Sequence, residues 1–81
     1  MPFRDVAASY QPEQLARLID AFNRAWPTVY FANRLDNAVQ SAWLRKRLAD
    51  YILACASRGE FDPARLAEQA LRALNKHRTA A

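Results

Sequence analysis

No glycine or proline interrupts the chain between Asn33 and Arg58, and Gly59 is the only glycine in the sequence. Tight β-turns need glycine or a similar residue wherever φ becomes positive. A chain with one glycine has almost nowhere to make them, whereas its many alanines, leucines and arginines are good helix formers. The expected fold is therefore all-α: a small three-helix bundle in a single domain. Its long central helix spans about 33–57 and is packed by helices over about 12–26 and 62–77. A short helical turn within residues 1–10 lids the bundle, and residues 79–81 form a flexible tail.

The outer helices start alike. Gln11 and Asp62 take the N-cap positions, and Pro12 and Pro63 follow at the first helical position, where the missing N–H costs nothing. Tyr10 and Leu15, like Phe61 and Leu66, occupy the two positions of a hydrophobic staple. In the first helix Leu15, Leu18, Ile19, Phe22 and Trp26 form one apolar stripe. Asp20 and Arg24 sit on the opposite side at the favourable i, i+4 spacing. Pro27 disfavours helical geometry at Trp26, so the helix is expected to end there or kink. In the last helix Leu66, Ala67, Ala70, Leu71 and Leu74 form the apolar face.

The central helix carries two faces. Leu35, Ala38, Val39 and Ala42 cluster on one side, and Leu44, Leu48, Tyr51, Ile52 and Cys55 on nearly the opposite side. The apolar face changes over at Trp43-Leu44, so each half is expected to pack on a different neighbour. Gly59 is placed to end the helix as a left-handed cap. The linker 27–32 is unusually apolar for a loop. Val29, Tyr30 and Phe31 must pack on the core, begin the next helix early, or meet a partner.

The sequence offers little for chemistry. A lone Cys55 excludes an internal disulfide, and one cysteine with one histidine cannot build a zinc site. Cys55 lies on an apolar stripe, where burial raises a thiol's pKa and leaves it inert. His77 stands three residues before the tail, with nothing to orient it. There is no phosphate-binding glycine loop and no metal-ligand spacing, so neither enzyme activity, cofactor nor metal is expected. No apolar run reaches the length of a signal peptide or a membrane span. The chain reads as cytoplasmic, in keeping with its unpaired thiol.

Two functional readings remain. The first is protein–protein contact, including self-association as a homodimer, through Val29, Tyr30, Phe31 and Trp43. Trp and Tyr combine large apolar area with a polar tip and are enriched at interface hot spots, and a domain this small gains stability from a partner. The second is nucleic-acid binding through Arg34, Arg45, Arg47, Arg65 and Arg72, drawing on a net charge of +4. It requires those arginines to line up on one face, whereas neighbours in Arg45-Lys46-Arg47 point about 100° apart on a helix.

Overall fold

A 3-10 helix over Arg4–Ser9 precedes three α-helices: α1 (Pro12–Asn33), α2 (Ala38–Ala56) and α3 (Pro63–Thr79). They are seen in a computed structural model that describes residues 3–33 and 38–79. All three α-helices pack against one another, giving the all-α three-helix bundle that the apolar patterns require.

The helix starts form as their residues dictate. The Gln11 carbonyl accepts the Leu15 N–H at 2.9 Å, and the Gln11 N–H donates to Gln14 Oε1 at 3.1 Å. That second bond is the return half of a capping box. Asp62 Oδ1 accepts the Ala64 N–H at 3.3 Å, satisfying one of the donors a helix start leaves open. The two staple aromatics then meet: Tyr10 and Phe61 pack edge to face with centroids 6.2 Å apart. Between α2 and α3 the chain reverses at Gly59, whose φ is 95°. The Glu60 N–H reaches the Cys55 carbonyl at 3.4 Å and the Gly59 N–H reaches Ala56 at 2.9 Å. This is the paired closure of a Schellman motif, which needs a left-handed residue at its centre.

One core unites the helices. Leu18, Phe22 and Val29 from α1 meet Leu44, Leu48 and Ile52 from α2 and Leu66 and Leu74 from α3. Alanines are buried among them, including Ala21, Ala25, Ala49 and Ala70. In the N-terminal segment Phe3 is fully buried, and its ring stands edge-on to Phe22 at 6.1 Å.

Several expected boundaries shift. The first helix does not end at Trp26; it runs through Pro27 to Asn33, so residues 27–32 are helix and not linker. An internal proline removes one backbone hydrogen bond and costs about 3 kcal/mol. Pro27 and Asn23, whose carbonyl loses its partner, are both exposed, so water can satisfy that carbonyl. Beyond the proline, buried Val29 returns about 1.5–3 kcal/mol, which matches the cost. Helix α2 accordingly starts later than residue 33 and ends at Ala56; the predicted start over 34–37, including Leu35, lies outside the described residues. Thr79, expected in the tail, closes α3. The two halves of α2 also differ from expectation. Its buried residues are Leu44, Leu48, Ala49, Ile52 and Ala56, whereas Ala38, Val39 and Ala42 are exposed, so the described members of the first face do not pack on a neighbouring helix as their pattern suggests.

Candidate functional site

Extending α1 past Pro27 projects a run of aromatic side chains along it. Phe22 and Trp26 stack at 6.0 Å. Trp26 meets Tyr30 edge-on at 6.4 Å, and Tyr30 meets Phe31 at 5.7 Å. The run starts in the core beneath Phe3 and ends in solvent, with Tyr30 44% and Phe31 76% exposed. Val29 departs from the rest of the candidate set. It is 2% exposed and belongs to the core, because it follows Leu18, Ala21, Phe22 and Ala25 on the inward face.

Trp43 stands on the other helix of the same corner and is 57% exposed. It lies one position before Leu44, which is buried, and about 175° around the helix from the centre of the buried face of α2. One turn before it, Val39 is 80% exposed. Val39 was not among the candidates because its spacing with Ala38 and Ala42 reads as a packing face. Nothing in its spacing sets it apart from Ala38 and Ala42. The ring of Trp43 does not join the α1 run. Instead it carries the Arg47 guanidinium 5.5 Å from its centroid.

Arg47 is held on three sides. It also lies 5.4 Å from the Tyr51 ring and donates through Nη2 to the Tyr51 hydroxyl at 3.1 Å. Its Nε is buried without a hydrogen-bond partner, as expected of a guanidinium laid flat against rings. Arg45 sits over Trp26 at 5.0 Å, an attraction between cation and ring face. The other arginines of the nucleic-acid reading pair with carboxylates. Arg65 approaches Glu60 at 3.8 Å and Asp62 at 3.9 Å, and Arg72 contacts Glu68 at 2.6 Å. Arg34 lies outside the described residues. The structure therefore gives each of the four described arginines its own intramolecular partner, with Arg45 and Arg47 about 160° apart around α2.

Cys55 is half-buried and free. Burial pushes its thiol up, with Glu60 in the same sense and Arg58 opposing, so it is protonated near neutrality. Among the described residues no group of three or more His, Cys, Asp or Glu side chains could hold a metal, and no helix is long and apolar enough to cross a membrane. The side chain of His77 is not among those described. No family model, curated protein or solved structure matches this chain.

Proposed function

We propose that this chain acts in the cytoplasm by protein–protein contact, in its simplest form as a homodimer, through the corner where α1 ends and α2 begins, and that it performs no catalysis of its own. One observation carries the reading. The exposed large hydrophobics among the described residues are Tyr30, Phe31, Val39 and Trp43, all within about two helical turns of that corner. Single exposed apolar residues scattered over a surface need no explanation, but a concentration of them marks a contact site.

The composition of the corner supports the same reading. Tyr, Trp, Phe and Arg are the residues enriched at interfaces, and here Arg45 and Arg47 already rest on Trp26 and Trp43. Stacked arginines and two-torsion aromatics lose little freedom on association, which lowers the entropic cost of binding. Self-association also answers the thin margin of an 81-residue chain, since a domain of this size buries only about 60–65% of its unfolded surface.

Sedimentation equilibrium over a micromolar concentration series tests the homodimer. The mass is expected to rise from 9.2 kDa toward twice that value, and the double substitution Phe31→Ser, Trp43→Ala is expected to hold it at the monomer. A wild-type chain that stays monomeric at every concentration removes the homodimer. Contact with a different protein then stands or falls on whether a capture experiment loses its partner with the same double substitution.

A further inference from the structure

A second region, away from the corner, gathers polar groups that the contact surface does not use. Between α2 and α3 runs a groove of about 460 Å³ lined by Tyr51, Ala54, Cys55, Arg58, Gln69, Arg72 and Ala73. Its lining includes two arginines and no acidic residue, although the chain has eight acidic residues. Arg58 makes no ion pair among the described residues. Arg72 gives one Nη to Glu68 and retains the remaining donors of a five-donor fork. Glu68 fixes that side chain without itself lining the groove. The Tyr51 hydroxyl accepts from Arg47, so a third guanidinium adds positive potential behind the phenol. The rest of the lining is Ala54, Ala73, Tyr51, the half-buried Cys55 and the polar side chain of Gln69.

Two arginines facing one apolar-floored groove form a recognisable chemical pattern. Guanidinium forks match oxyanions in geometry and charge, and an apolar floor with a few convergent polar groups is how small-molecule sites fix a ligand. We infer that this groove binds a small organic oxyanion, with its charged head held between Arg58 and Arg72 and its apolar body lying over Ala54, Ala73 and the Tyr51 ring. None of the four exposed corner residues lines the groove, so this inference and the proposed contact surface succeed or fail separately.

Cys55 supplies a native reporter, because an occupant of the groove covers it. The test measures the alkylation rate of Cys55 by the neutral reagent iodoacetamide against increasing phenyl phosphate, benzoate, inorganic phosphate and benzyl alcohol, at constant ionic strength. The expected order is protection by phenyl phosphate or benzoate, weaker protection by inorganic phosphate, and none by benzyl alcohol. Whichever of the first two protects better tells a phosphate head from a carboxylate head. Arg58→Ala is expected to weaken the protecting ligand about tenfold, the loss of one charge-assisted contact, while Arg65→Ala, outside the groove, leaves it unchanged. Binding to the unaltered chain is read independently by titrating the Gln69 side-chain amide in NMR spectra. Equal protection by benzyl alcohol, equal binding by Arg58→Ala, or no shift at Gln69 with any anion overturns the inference.

Discussion

The two ends of the bundle use the same residue types to opposite effect. At the end where α1 and α3 begin, aromatics close the structure. Tyr10 and Phe61 pack on each other, Asp62 caps α3, and Gly59 turns the chain in one tight motif. At the end where α1 gives way to α2, aromatics point outward, with Phe31 and Trp43 largely exposed. Large apolar side chains are usually buried, so the contrast is between an end that packs on itself and an end that leaves its large apolar side chains exposed, which is the basis of the proposed contact surface. Both ends share one core, so that core sets the scale for substitutions at either. Leu48 is fully buried at its centre, and Leu48→Ala is expected to cost about 2–5 kcal/mol in denaturant unfolding. A cost well below that range would mean that the helices repack freely and that neither end has a fixed structure to compare.

At the closed end the effects should be smaller but still intramolecular. Asp62→Ala removes the acceptor of the Ala64 N–H and should cost about 1 kcal/mol. The ring contact between Tyr10 and Phe61 should appear as a coupling of about 0.5–1.5 kcal/mol in a double-mutant cycle on their alanine variants. Coupling near zero would show that the two staples act separately and that this end is closed by its caps alone.

At the open end the comparison predicts the reverse. Phe31→Ser is expected to change the stability of the monomer by no more than about 0.5 kcal/mol, while weakening self-association strongly. Stability should therefore be measured at concentrations low enough that the monomer dominates, since partner binding raises apparent stability by mass action. A large loss in the monomer would mean that Phe31 supports the fold, and the exposed corner would lose its meaning as a surface.

Legibility in the sequence follows the same division. The closed end could be read almost completely, because caps and turns are set by local chemistry: Pro12, Gly59, Asp62 and Pro63 each do what their backbone preferences dictate. The open end could not. Pro27 carries a strong local signal for a helix end, and a tertiary contact through Val29 overrides it. The core line was also only half visible. Leu15, Ile19 and Trp26 dominate the apolar stripe of α1 yet are only partly buried, whereas Ala21 and Ala25 are fully buried. Alanine contributes little to a hydropathy pattern, so the pattern finds buried Leu18 and Phe22 but misses the buried alanines beside them. Of the candidate contact residues, Tyr30, Phe31 and Trp43 are exposed as the contact reading needs, and Val29 is core for the same reason that α1 continues past Pro27.

The smallest effect expected is a pH dependence, and it probes the closed end through Cys55, whose carbonyl closes the Gly59 motif. Burial raises the thiol's pKa in the folded chain, against the opposing pull of Arg58. Below the unfolded-state value of about 8.5 the thiol is protonated in both states and has no effect on stability. Above it the unfolded chain ionises first and binds fewer protons than the folded chain, so stability falls as pH rises toward the folded value. Cys55→Ser should remove that increment, leaving a shallower decline above about pH 8.5 in matched unfolding curves. A cysteine placed at the open end supplies the counterpart: Val39→Cys in the Cys55→Ser background carries its thiol on an exposed side chain, where burial cannot raise it. The Val39→Cys thiol should therefore be alkylated faster than Cys55 at the same pH. Equal rates would show that the closed end opens as readily as the corner is exposed, and would erase the difference between them.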